Sequence, residues 1–103
     1  MVSQELDPAL KTIANPVRRQ ILLLLKDPVK NFRPNDHGIS NTEGVCVGSI
    51  ADRVQLAQST VSAHLLKLQE SGLVSFFSSG KWTYFRRNEK AVRTLLGKLR
   101  QSL

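Results

Sequence analysis

Residues 47–87 read VGSIADRVQLAQSTVSAHLLKLQESGLVSFFSSGKWTYFRR, and this stretch decides the fold. Helical periodicity returns at Val45 or Val47 and runs to Val54, with Ile50, Ala51 and Val54 on one face. A break at Gln55-Leu56-Ala57 leads into a second helix, Gln58 to Ser71, whose core positions are Val61, Leu65 and Leu68. Gly72 follows where a helix C-terminus favours glycine. The period then changes from 3.6 residues to two. Leu73 to Phe77 and Trp82 to Arg86 are rich in aromatic and β-branched residues, and Ser78-Ser79-Gly80-Lys81 joins them as a hairpin.

Working outward, Pro8 to Ala14 reads as a short helix with Leu6, Leu10, Ile13 and Ala14 on one side. Asn15-Pro16 is a strong start for a helix Val17 to Lys26: the side chain of Asn caps free N–H groups, and Pro at the first position loses no hydrogen bond. The Ile21–Leu25 run is apolar on all faces, which predicts a helix in the middle of the core. Asp27-Pro28 stops it. Residues 27–44, with prolines, glycines and asparagines, show no period and are expected to form a long loop. At the other end, Glu89 to Leu99 aligns Val92, Leu95, Leu96 and Leu99 in one stripe. The expected architecture is one domain, residues 1–103, mainly α with a small β-hairpin: a winged helix-turn-helix of about five helices and a two-stranded wing.

Charge points to the partner. Lys and Arg outnumber Asp and Glu by 15 to 8 among 103 residues, a net charge of +7. The excess is local. Residues 58–103 carry eight basic side chains against Glu70 and Glu89, whereas residues 1–57 carry seven basic and six acidic. Such a balance suits a polyanion. The longest apolar stretch, Ile21 to Leu25, is too short to span a membrane, and Met1 to Leu10 lacks the apolar run of a signal peptide, so a cytoplasmic protein is expected. The single cysteine, Cys46, excludes an internal disulfide and suits a reducing compartment.

A helix that enters the major groove needs short polar side chains on one face and aliphatic ones on the other. Gln58, Ser59, Thr60 and Ser62 supply the first, and Val61, Leu65 and Leu68 the second. The basic hairpin that follows argues against a merely solvated helix face. Phosphate-contacting candidates are Lys81 and Arg86, or one of them with Arg87. Trp82, Tyr84, Phe76 and Phe77 could stack on single-stranded bases, but their place in a hairpin favours packing. No Gly-rich phosphate loop, paired-carboxylate motif or nucleophile–base constellation suggests an enzyme, and no cofactor is expected.

These residues resemble the ArsR/SmtB family of bacterial dimeric repressors. Asn15-Pro16-Val17-Arg18-Arg19-Gln20-Ile21-Leu22 resembles that family's second helix, and Gln58-Ser59-Thr60-Val61-Ser62-Ala63-His64-Leu65 its recognition helix. Ser71-Gly72-Leu73-Val74 and Gly80-Lys81-Trp82-Thr83-Tyr84-Phe85-Arg86 resemble its wing. The resemblance covers nearly the whole chain except the long loop. It implies a homodimeric repressor built from the first and last helices (here Leu6, Leu10, Leu95, Leu96 and Leu99), bound to an inverted-repeat operator near its own promoter. It also places His64 near the DNA backbone, in a phosphate or a packing role.

Three departures matter. Metal-sensing members carry Cys-Val-Cys where this chain has Val45-Cys46-Val47-Gly48, and soft-metal sites need two or three thiolates. The family's second metal site uses Asp and His on the last helix, yet Glu89 to Leu103 has no histidine. No metal site is therefore expected. Oxidation of Cys46, an unidentified small-molecule inducer, or protein level alone is the remaining route to regulation, and a bare packing role for Cys46 competes with the first. His37 beside Asp36 is expected to be a solvated loop residue rather than a ligand. Finally, Gln55 stands where the family usually has glycine, and Ala57 where it has a capping serine. A winged helix can also bind RNA or protein, so those readings stand as alternatives.

Overall fold

The computed structural model describes residues 6–103, so the first five residues of the expected domain, and of the stretch read for a signal peptide, lie outside it. The helices are α1 (Leu6–Ile13), α2 (Pro16–Lys26), α3 (Pro28–Asn31), α4 (Val47–Val54), α5 (Gln58–Glu70) and α6 (Glu89–Ser102). The strands are β1 (Val45–Cys46), β2 (Val74–Ser79) and β3 (Trp82–Arg87). Local signals set most boundaries. The Asn15 side chain accepts from the N–H groups of Val17 and Arg18 at 2.9 and 3.1 Å, and Asn88 accepts from Ala91 N–H at 3.1 Å, so α2 and α6 each begin on a side-chain cap.

The core lies between α2, α4, α5 and the sheet. Ile21, Ile50, Val61, Leu65 and Leu68 are completely buried, and Val74 and Phe85 close the core from the wing. The Ile21–Leu25 run is not uniformly internal, contrary to expectation: Leu23 is 65% exposed. At 3.6 residues per turn no five consecutive positions share one face, so one of them must point outward unless the helix is surrounded.

Residues 27–44 correct the expected loop. Asp27-Pro28 ends α2, and the same pair starts α3, with the Asp27 carboxylate accepting from Lys30 N–H at 3.3 Å. Beyond it Phe32 is buried, and the Asn41 side chain donates to the carbonyls of Phe32 and Arg33 at 3.1 Å each. Side-chain amides thus satisfy the backbone where no periodic element does.

The wing has three strands rather than two. β1 pairs with β3, matching Val45 to Phe85 and Cys46 to Tyr84, and β3 pairs with β2, all antiparallel. A two-residue strand carries no alternation to read, so nothing in the sequence separates it from the following helix. The hairpin turn is also tighter than expected. Ser79 pairs with Trp82, leaving Gly80-Lys81 as the whole turn, which Gly80 permits by taking φ +62°. Between α4 and α5, Gln55 adopts φ 60°, ψ 45°. It is the one non-glycine residue at positive φ among those described, a strain of about 1–2 kcal/mol. Its side-chain amide donates to Asp52 O at 2.9 Å, offsetting part of that strain.

Candidate nucleic-acid interface

α5 is held to the domain by Val61, Leu65 and Leu68, all fully buried, and this fixes what it shows outside. Gln58, Ser59, Thr60 and Ser62 are all exposed in its first turns, on the part of the helix that would enter a groove. Ala63, Leu66 and Lys67 share that outward surface, Leu66 at 52% exposure. Sequence inspection missed these three. A helical count from Ser59 finds Ser62, Ala63 and Leu66 at i+3, i+4 and i+7. Gln58 lies at the edge of this surface: its Nε2 is 3.4 Å from where a Cβ on Gly48 would stand, so the amide rests over the start of α4.

His64 is half-buried and held from α2. The Arg18 guanidinium donates through Nε to His64 Nδ1 at 3.2 Å and through Nη1 to Thr12 O at 3.3 Å. A guanidinium can only donate, so Nδ1 must accept and the imidazole bears its proton on Nε2. Arg18 therefore ties α1, α2 and α5 together. Its role was not legible in the sequence, because the partners are 46 positions apart.

The wing candidates divide. Lys81 sits at the exposed turn, its Nζ 5.9 Å from the centre of the Trp82 ring. Arg86 is exposed at the base of the hairpin, on the sheet face opposite Phe85. Arg87 departs from expectation. Its Nε donates to Glu89 at 2.9 Å and its Nη1 to Leu22 O at 3.3 Å, with the side chain 14% exposed. It clamps the end of β3 to α2 and α6 and is spent on structure. The reason is its register: Arg87 lies on the inward face with Phe85, where an internal partner is needed.

His37 also departs from expectation. Instead of standing in solvent it stacks on Trp82 (centroids 4.0 Å apart, planes at 12°), and its Nδ1 lies 3.1 Å from the Tyr84 hydroxyl. Trp82 and Tyr84 are two apart on one strand and so share a face, which forms a ledge for the loop. Phe77 stacks on Tyr84 at 5.2 Å, and Tyr84 is 1% exposed, so three of these rings serve packing. Burial pushes the Tyr84 phenol above its ordinary value of 10.0, and the charge of neighbouring Cys46 adds to the rise. The neutral phenol is thus favoured by folding. The stability this contributes is fully present below pH 10 and is lost above it, once the unfolded chain ionises first. Tyr84 is the chain's single tyrosine. Its phenolate absorbance should rise above pH 10 in the native protein and near pH 10 in urea. Coincident curves would show that the phenol is not buried in solution.

Cys46 is buried at the start of α4, its Sγ 3.3 Å from Ser49 Oγ. Redox-active thiols are accessible as well as activated, so this burial weighs toward the packing role. Among the described residues no three His, Cys, Asp or Glu side chains gather to hold a metal ion. Among them, too, no helix is long and apolar enough to cross a membrane.

The five residues expected at a dimer interface also divide. Leu6 and Leu95 are buried where α1 meets α6 within one chain, and Leu10 and Leu99 are partly buried against the same core. Leu96 is 57% exposed.

Residues 40–75 match the family described as bacterial regulatory protein, arsR family. The chain is 41% identical over 85 residues to an uncharacterized HTH-type transcriptional regulator, YbzH, of Bacillus subtilis (strain 168), covering 82% of this chain and 85% of that one. It is 36% identical over 90 residues to the nodulation protein NolR of Rhizobium meliloti, covering 87% of this chain and 62% of NolR. Among solved structures it resembles the homodimeric winged helix-turn-helix DNA-binding domain Mb0332 of Mycobacterium bovis. That likeness has a TM-score of 0.66 at 25% identity, over 99% of this chain and 90% of the other.

Proposed function

Because this chain belongs to the arsR family of bacterial regulatory proteins and is a DNA-binding transcriptional regulator, not an enzyme, we propose that it acts as a homodimeric repressor. The single observation that carries the reading is the exposed Ser59-Thr60-x-Ser62 face of α5, backed by a fully buried apolar face. The dimer sets two such helices about 34 Å apart, one helical turn of DNA, and so reads an inverted repeat. The mycobacterial domain Mb0332, which is homodimeric, supports the assembly. Base edges meet Gln58, Ser59, Thr60 and Ser62, and phosphates beside the half-site meet Lys81 and Arg86. His64 supports the helix through Arg18. A regulator of this kind works in the cytoplasm, where the DNA is, and an operator near its own promoter makes it autoregulated. Neither RNA nor a protein partner is favoured, since the outward face of α5 offers short hydroxyls rather than a broad apolar patch.

The test is duplex binding as a function of salt. Ser59→Ala or Ser62→Ala should each weaken specific binding by about 1–3 kcal/mol and leave random DNA unaffected. Lys81→Ala should weaken both alike and reduce the salt slope by about one unit. Equal losses on specific and random DNA for both serine variants would show that they are not readers.

Control by the family's metal sites is not part of this reading. Gly48 removes one thiolate, the last helix has no histidine, and His37 already serves Trp82 and Tyr84. Zn²⁺, Cd²⁺ and arsenite should therefore leave operator affinity unchanged, and a small-molecule inducer becomes the expected signal. Micromolar metal-driven release that disappears in Cys46→Ser would overturn this.

A further inference from the structure

The outward strip of α5 is not polar throughout. Ser59, Ser62, Ala63 and Leu66 follow one another at i, i+3, i+4 and i+7, all exposed, directly opposite the buried Val61, Leu65 and Leu68. We propose that Leu66, with the small Ala63 beside it, reads the 5-methyl group of a thymine in each half-site. The inference rests on the DNA-reading role assigned to α5 above and names the base chemistry of its second half.

Exposure, side-chain size and the end of the strip support it, together with the chemistry of the groove. Leu66 is 52% exposed, so the domain does not use it as core, and it continues the polar reading surface without a break. The strip is built of short side chains up to Leu66, which lets the helix approach the groove floor closely enough for an aliphatic chain to touch a base edge. In the major groove the thymine methyl is the apolar feature that distinguishes A·T from the other pairs. The strip also has a defined end. Glu70 is the next residue along it and would face phosphates unfavourably, with Lys67 Nζ 3.9 Å from its carboxylate. Leu66 lies seven positions after Ser59, a rise of about 10.5 Å, so the thymine should lie roughly three base pairs along the groove from the base met by Ser59.

The experiment selects a duplex from a random pool with the wild-type protein and replaces each thymine in turn by deoxyuridine, which removes only the methyl. Affinity is read by fluorescence anisotropy at fixed salt. One position per half-site should lose about fourfold for the wild type, the effect of one buried methyl-sized group. The same replacement should cost Leu66→Ala nothing, and Leu66→Ala on the thymine duplex should bind as the wild type does on the uracil duplex. Deoxyuridine effects that persist in full in Leu66→Ala would overturn the inference while leaving the DNA-binding role standing. So would a change of oligomeric state in Leu66→Ala by sedimentation, which would make Leu66 a protein contact. Failure to select any duplex would overturn both readings.

Discussion

Leu96→Asp should leave each chain folded while lowering affinity for a two-half-site operator by about 10²–10⁴-fold. Within one chain Leu6 and Leu95 are already buried, whereas Leu96 stands 57% exposed on the same terminal helix as Leu95. An acidic residue there costs the monomer little, since the site is already in water and Arg100 lies one turn away. In a dimer joined through α6 the same residue would be an unpaired charge at an apolar contact, a cost of several kcal/mol. Once the chains part, each recognition helix binds its half-site alone, and the gain from linking two binding events disappears. Sedimentation gives the oligomeric state, anisotropy the affinity and circular dichroism the fold. A variant that remains dimeric and binds normally would remove Leu96 from the interface.

Ile21→Ala should destabilise the domain by about 2–5 kcal/mol, and Leu23→Ala by no more than about 0.5 kcal/mol. The two residues are two apart in one apolar run, yet Ile21 is completely buried and Leu23 is 65% exposed. Truncation at 21 removes buried methyl groups and leaves a cavity in the core cluster to which Ile50 and Leu65 also belong. Truncation at 23 removes surface already in water. Small domains are stable by only about 5–15 kcal/mol, so the first change takes a large share and should lower the melting temperature by roughly 10 °C or more. Because dimerisation couples stability to concentration, both variants are compared with wild type at one protomer concentration. Similar losses for the two would mean that Leu23 is covered in solution, by a partner chain or otherwise.

Much of this molecule is determined by signals a few residues wide. Asn15-Pro16 begins α2, Gly72 ends α5, and Gly80 turns the hairpin, because caps and positive φ depend on the residue itself and its immediate neighbours. The same locality makes Ser59, Thr60 and Ser62 legible as an outward face, since 3.6 residues per turn dictates which side chains oppose Val61, Leu65 and Leu68. Even the strain at Gln55 follows from the turn type that the helix pair demands.

What only the tertiary structure decided involves partners far apart in the chain. Arg18 and His64 are 46 residues apart, Arg87 and Leu22 O 65, His37 and Tyr84 47. No period or motif encodes such pairs, because each exists only after separate elements have packed. The third strand is the clearest case. Val45-Cys46 becomes a strand because Gly44 passes so close to β3 that a Cβ there would lie 2.8 Å from the Tyr84 Cβ. The absence of that one atom lets the loop lie flat on the sheet, where His37 then stacks on Trp82. A glycine in a loop looks like flexibility when read alone. Here the packing of the wing makes it a requirement of close approach.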